Sequence, residues 1–389
     1  PTPTAVPTPA AEQPAKVETD ETGKTMLVVD TAGTQITWDT PPVIDATSDS
    51  DVDGTIVNLA GDIFMESAAN NKPFTVSTNM ASFEFQPGSI NIPEGTENVS
   101  LTVKQLTMDD IPEASRPADA TEVSFVFDFE LTVDGNPVTT FDKPITITLK
   151  LDLSAVSNPD KVGVYYYSEA ESKWVFVGGK VNADGTVTFT IDHFSKYLAM
   201  EYNITFSDIV DHWAKDAIEV MAARHVTNGT GGDKFSPDAK ITRAEFTAMI
   251  VRALGIREEV SQNPFVDVKV DDWFADSALK ANAAGIIQGD SKGNFAPGNL
   301  ITREEMAAIT VRAYSYYSGV NTDRIITTQE IRFKDMDNAS QWAREYITLV
   351  DALGLMNGFN DKTFRPKNLS TRAEAIVVVN RLMKLLEIF

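Results

Sequence analysis

The sequence predicts two fold classes in one chain, an N-terminal antiparallel β-sandwich followed by an all-α unit of three repeats. Three observations predict this. From about residue 25 to 201 the chain runs in short alternating stretches such as NVSLTVKQL, PITITLKLDL and TVTFTID, the period-2 pattern of half-buried strands. From about 204 onward the apolar period becomes helical. One stretch then occurs three times: ITRAEF at Arg243, ITREEM at Arg303 and STRAEA at Arg372, each with a Trp thirty residues earlier (Trp213, Trp273, Trp342). Between each pair stand a Gly (Gly229, Gly289, Gly358), a Phe (Phe235, Phe295, Phe364) and a Pro (Pro237, Pro297, Pro366) at identical spacings. Self-similarity held in register over such a period marks a repeat architecture.

The chain begins PTPTAVPTPA, and residues 1–24 read as an extended Pro/Thr-rich linker without a core. A start at Pro1 suggests a piece of a longer polypeptide with a module upstream. Residues 25–201 form the predicted sandwich, with hairpin chemistry at Asp134-Gly135-Asn136 and at Asn182-Ala183-Asp184-Gly185. Residues 105–122 read as a loop or a short helix. The three repeats occupy 202–260, 261–322 and 323–389, with linkers at 256–264 and 318–332. Each has a first helix that carries the Trp on its apolar face and ends at the Asn228-Gly229, Gln288-Gly289 or Asn357-Gly358 pair. There glycine would supply a left-handed exit. The second helix opens on a capping box, Thr242 with Glu245, Thr302 with Glu305, and Thr371 with Glu374. One such pair of helices cannot bury its apolar face alone, so the three should pack together.

Composition narrows the function. A net charge of −23 argues against nucleic acid, whose phosphates need a basic face. There is no cysteine, hence neither disulfides nor thiolate chemistry. No apolar run approaches the roughly 20 residues that span a bilayer, so membrane insertion is not expected. Carboxylates are plentiful, but no pair has a supporting motif, and the chain is not expected to be an enzyme or to need a cofactor or metal.

Three features of the β region carry alternative chemistry. Asp49, Asp51, Asp53 and Gly54 imitate half of a calcium loop, but Ala60 stands where the last ligand belongs, which favours a solvated acidic turn. His193-Phe194-Ser195 resembles the self-cleavage motif of ZU5-type and GAIN-type β domains, in which a His polarises a Ser that attacks the preceding carbonyl. The strand pattern around it also resembles the end of such a domain, and cleavage at Phe194-Ser195 is the alternative function. Tyr165, Tyr166, Tyr167 and Trp174 read as core and cross-strand packing rather than as a sugar platform.

The pattern FxDxxxxxWA, NG, FxPxxxITRAE resembles the S-layer homology family over about residues 204–389. That resemblance implies a pseudo-trimer around a central helical bundle. It also implies an extracellular protein anchored non-covalently to the cell wall or S-layer, through grooves that bind a secondary cell-wall polysaccharide, often pyruvylated. The motif arginines would be central to that binding. The physical reading agrees. Arg243, Arg303 and Arg372 sit in a helix first turn, where a guanidinium fork beside unpaired amides suits a carboxylate. The same arginines could instead pair with acids and hold the repeats together. Trp213, Trp273 and Trp342 are sugar platforms or core anchors; Asn228, Gln288 and Asn357 offer polar groups; Gly229, Gly289 and Gly358 serve the backbone first and ligand approach second. The second motif departs as TREE, with Glu304 beside Arg303, so the grooves need not be equivalent.

Overall fold

A computed structural model describes residues 15–31, 36–117, 119–321 and 332–389. It divides into two compact units, one ending at Tyr202 and one running from Asn203 to Phe389. The Pro/Thr-rich residues 1–14 and most of the 318–332 linker lie outside the described residues.

The first unit contains strands β1 (Ala15–Thr19), β2 (Thr25–Asp30), β3 (Val43–Ala46) and β4 (Gly54–Ala60), then helix α1 (Gly61–Asn70). It continues with β5 (Phe74–Thr78), β6 (Ala81–Phe85), β7 (Asn98–Leu106), β8 (Ala120–Glu122), β9 (Val126–Val133), β10 (Asn136–Pro137) and β11 (Ile145–Lys150). The last strands are β12 (Val162–Ser168), β13 (Lys173–Gly178), β14 (Lys180–Val181), β15 (Thr186–Ile191) and β16 (Lys196–Tyr202). They form two sheets. The larger runs β1-β2-β4-β7-β9-β16-β12-β13, with β10 beside β9 and β8 beside β16; the smaller runs β14-β15-β11-β6-β5-β3. Alternation explains their apolar content: Val99, Leu101 and Val103 of β7 and Ile145, Ile147 and Leu149 of β11 enter one cluster shared by both sheets.

Two expectations are corrected here, and two others gain detail. The sheets are not purely antiparallel, since β2 pairs with β4 and β3 with β5 in parallel. Residues 15–24 are not linker: they form β1 and a turn in which the Asp20 carboxylate accepts hydrogen bonds from the Thr22 and Lys24 amides. Residues 105–122 hold two single 3-10 turns, Met108–Asp110 and Glu113–Ser115. The aromatic run of β12 splits by face. Tyr166 packs on the main cluster, while Tyr165 and Tyr167 join Leu198, Met200 and Trp174 in a second cluster.

The second unit holds α2 (Lys215–Ala223), α3 (Arg243–Leu254), α4 (Ala275–Ala283), α5 (Arg303–Ser318), α6 (Arg344–Ala352) and α7 (Arg372–Leu385). Each repeat is a short helix, a loop and a longer helix, and residues of all three repeats share one apolar cluster. The three longer helices each touch the other two. The unit is not purely helical. Isolated β-bridges join Thr242 to Leu300, Thr302 to Leu369 and Lys240 to Thr371, so each repeat pairs with the next and the third returns to the first.

Two local expectations fail in this unit. The tryptophans are not on the apolar face of a first helix: α2 begins only at Lys215, and Ala214, Ile218 and Met221 take the buried positions instead. Nor do Gly229, Gly289 and Gly358 make the left-handed exit. That conformation falls on His225, Gly285 and Gly354, four residues earlier.

Candidate functional site

The loops between the paired helices are set by an aspartate. Asp208, Asp267 and Asp335 each accept two backbone hydrogen bonds at 2.7–2.8 Å, from Phe235 and Ser236, from Phe295 and Ala296, and from Phe364 and Arg365. Ser236, Ala296 and Arg365 all have φ near +57°. That conformation is costly for a residue with a Cβ, and two charge-assisted bonds offset the cost. The carbonyls of Phe235, Phe295 and Phe364 are thereby aimed at the neighbouring repeat.

Those carbonyls receive the motif arginines. Arg243 Nε donates to the Phe295 carbonyl at 3.0 Å, Arg303 Nε to that of Phe364 at 2.8 Å, and Arg372 Nε to that of Phe235 at 3.0 Å. The Nη2 groups donate to the carbonyls of Gln288, Asn357 and Asn228 at 3.4, 2.9 and 3.1 Å. The Nη1 groups face Glu305, Glu374 and Glu245 at 3.6, 3.4 and 3.2 Å. Each of these glutamates is the capping-box residue of the next repeat. Its Oε2 accepts the N-cap threonine amide while its Oε1 faces the arginine.

The arginines are therefore interface latches, with side chains only 15, 7 and 7 % exposed. Burial pulls all three guanidinium pKa values below the ordinary arginine value, and the paired glutamates act against that shift. Asn228, Gln288 and Asn357 serve through their carbonyls. Gly229, Gly289 and Gly358 leave room for Phe206, Phe265 and Phe333, whose rings a Cβ would meet.

Clefts nevertheless open beside two of the latches. The first, about 620 Å³, brings together Arg243, Gln288, Gly289, Arg312, Trp342 and Tyr346. The second, about 250 Å³, brings together Trp213, Arg303, Asn357, Phe359, Glu374 and Arg381. The second repeats the first one unit further round the ring, and each draws on all three repeats. Trp213, Trp273 and Trp342 are 66, 62 and 51 % exposed. Trp273 lines a different concavity, with Thr242, Glu245 and Asp272.

The sequence reading missed Arg312 and Arg381, nine residues after the motif arginines, with Arg252 as the exposed third member. The spacing was visible in the repeats, but nothing marked these residues as facing a cleft. Arg312 Nε donates to the Tyr346 hydroxyl at 3.2 Å, and Arg381 Nη1 to the Leu355 carbonyl at 3.4 Å. Glu304, the departure in the second motif, is buried and accepts from the Ser340 amide and hydroxyl and from Lys367 at 2.6–3.0 Å.

The chemistry suspected in the β unit is not assembled. The Ser195 hydroxyl donates to the Tyr167 carbonyl at 3.0 Å, while His193 Nδ1 lies 2.8 Å from Asp192. No hydrogen bond joins His193 to Ser195 among the described contacts. Asp53 accepts the Thr25 amide at 2.8 Å, and no group of three metal-ligating side chains occurs among the described residues.

A closed ring of three two-helix repeats, latched by arginine and with a tryptophan beside each inter-repeat cleft, defines the class of the second unit. Residues 205–247, 264–307 and 332–376 are three S-layer homology domains. They make the chain an extracellular, cell-wall-associated protein with a cell-surface anchoring role. Among its relatives, an amylopullulanase of Thermoanaerobacterium thermosulfurigenes is 38 % identical over 344 residues, 88 % of this chain and 18 % of the relative. The exoglucanase XynX of Acetivibrio thermocellus is 42 % identical over 185 residues, 48 % of this chain and 17 % of the relative. A cellulosome-anchoring protein of Acetivibrio thermocellus is 31 % identical over 157 residues, 39 % of this chain and 34 % of the relative. The chain thus spans between 17 and 34 % of the length of these relatives. Two of them carry enzyme names, amylopullulanase and exoglucanase, which overturns the expectation that the chain is not an enzyme.

Proposed function

We propose that the clefts hold the chain on an anionic secondary cell-wall polysaccharide, pyruvylated or otherwise acidic. The observation that supports this reading is the cyclic repetition of one arrangement: a latch arginine, the arginine nine residues beyond the next repeat's motif arginine, and an exposed tryptophan from the remaining repeat. The latch spends part of each five-donor fork, and the second arginine adds an unburied cation. The indole face suits the C–H side of a sugar ring. Several weak sites on one polymer give tight retention by effective concentration. Trp273 lines a third concavity beside Glu245, the carboxylate that Arg372 faces.

The whole protein, of which the relatives are so much longer, is read as a carbohydrate-cleaving enzyme displayed at the wall. The β unit, read as a sandwich, would be its spacer or adaptor. The alignment with the amylopullulanase is longer than the helical unit alone, so it includes β-unit residues.

The test is co-sedimentation of the full chain with purified wall polysaccharide. Arg312→Ala with Arg381→Ala removes cleft cations without touching the latches, and retention should fall at least tenfold with the melting temperature unchanged. Retention equal to the parent chain overturns the reading.

A further inference from the structure

The two clefts share a plan but differ at one position. Two residues after Gln288 in the first cleft stands Asp290; two residues after Asn357 in the second stands Phe359. Both line their clefts. Asp290 is a fixed carboxylate: it accepts from the Lys292 and Asn294 amides at 2.8 and 2.9 Å and from Asn294 Nδ2 at 2.9 Å. These bonds, the Asn294 side chain first, hold its carboxyl below the usual range. Phe359 is held between two guanidinium groups, Arg365 at 3.9 Å and Arg303 at 4.9 Å from the ring centroid. Arg365 is tied in turn to Asp361 at 3.1 Å.

The balance of charge follows. In the first cleft Arg243 and Arg312 face Asp290 and Glu305, two cations against two carboxylates. In the second Arg303 and Arg381 face Glu374 alone, with the rings of Phe359 and Trp213 supplying apolar wall. A ligand carboxylate brought within a few ångströms of the exposed Asp290 side chain meets a like charge, and at that range the repulsion survives solvent and moderate salt. The second cleft lacks that repulsion and offers an apolar surface to the carbon atoms that carry the acid.

Resting on the cleft-binding reading above, we infer that the two clefts divide the polymer between them: Phe359 makes the Trp213 cleft the site for a sugar bearing a carboxylate, and Asp290 makes the Trp342 cleft a site for neutral sugar units. The specificity of each cleft lies at this single position rather than in the shared latch arginines.

The experiment is calorimetric titration of the full chain at moderate salt. The probes are a ketal-pyruvylated N-acetylhexosamine oligosaccharide and its neutral counterpart freed of pyruvate. The parent chain should bind the acidic probe with one-to-one stoichiometry. Phe359→Asp should lower its affinity at least tenfold relative to the neutral probe, and Asp290→Thr, the residue type the first repeat carries at Thr230, should raise the acidic stoichiometry to two. Phe359→Thr, gentler on the fold, should lose affinity by a smaller factor, and thermal melts confirm folding of all variants. An unchanged acidic-to-neutral ratio in Phe359→Asp, or an Asp290→Thr chain that still binds a single acidic probe, overturns the division while leaving cleft binding intact. A parent chain that binds neither probe overturns both.

Discussion

The two units reach stability by different routes. In the β unit the determinants are alternating apolar residues, and the largest buried groups are rings such as Phe83, Phe85 and Phe129. In the helical unit the apolar cluster is present too, but the repeats are registered by polar groups placed three times over. Aspartate sets a carbonyl, the carbonyl receives an arginine, and the arginine faces the glutamate that caps the next helix. An apolar face tolerates a shift in packing, whereas a planar fork with three assigned partners does not. The comparison teaches that the ring is specified by directional bonds, and that its clefts inherit their shape from them.

The largest effect should come from breaking a latch. Arg372→Ala removes the guanidinium donor from the Phe235 and Asn228 carbonyls and from Glu245 Oε1, while Glu245 Oε2 keeps its Thr242 bonds. Removing one partner of a buried pair costs about 3–5 kcal/mol, and the low end applies because Glu245 keeps partial solvent contact. Urea unfolding should show the loss in the helical unit alone. Arg372→Lys should recover little, since an ammonium cannot meet three partners in one plane. A full recovery by Lys would mean that charge, not geometry, closes the ring.

Next in size is the aspartate that aims the carbonyl. Asp267→Ala orphans the amides of Phe295 and Ala296, the latter in a left-handed conformation. The expected cost is about 2 kcal/mol. Because the Phe295 carbonyl is the target of Arg243, the first cleft should loosen as well, visible as faster amide exchange at Arg243. The matching change in the β unit, Ile147→Val at a fully buried side chain of β11, should cost about 1 kcal/mol and leave exchange in the helical unit unaltered.

These expectations show which parts were readable beforehand. Strands such as 98–106 and 145–150 announce themselves by alternation, and the Thr-x-x-Glu boxes announce three helix starts, because both signals are local. The ring closure is not local. Arg372 donates to carbonyls of Asn228 and Phe235, far back in the sequence, and a backbone acceptor leaves no mark in residue type. The parallel pairing of β2 with β4 is equally silent, since alternation does not encode strand direction. Helix α1 was hidden because GDIFMESAAN follows directly on β4 and buries only Gly61, Ile63, Phe64 and Ser67. The tryptophans misled for a plain reason: their helical spacing to Ala217 and Val220 holds on paper, but the chain turns at His212–Ala214 before the helix starts. The repeats did record Asp208, Asp267 and Asp335, but only the loop geometry shows what they do.

The smallest effect tests whether the threefold plan is itself a guide to stability. At the helix exit, Gly285 and Gly354 have φ near +70°, while the first repeat carries His225 at φ 55°. A side chain in this conformation is strained relative to glycine, so His225→Gly should stabilise the chain by about 0.5–1 kcal/mol at pH 8. Partial desolvation by its neighbours also pushes the His225 pKa below its ordinary value, although the side chain keeps solvent contact. The unfolded chain then binds the extra proton first, so the stability tied to the neutral imidazole is present above the unfolded histidine pKa of about 6.5 and is lost as pH falls through the folded value. The gain from His225→Gly should accordingly be larger at pH 5 than at pH 8, read from urea midpoints at the two values. A gain that stays constant with pH would show that backbone strain alone separates the first repeat from its sisters. A loss at both values would show that the imidazole makes a contact worth more than the strain it imposes.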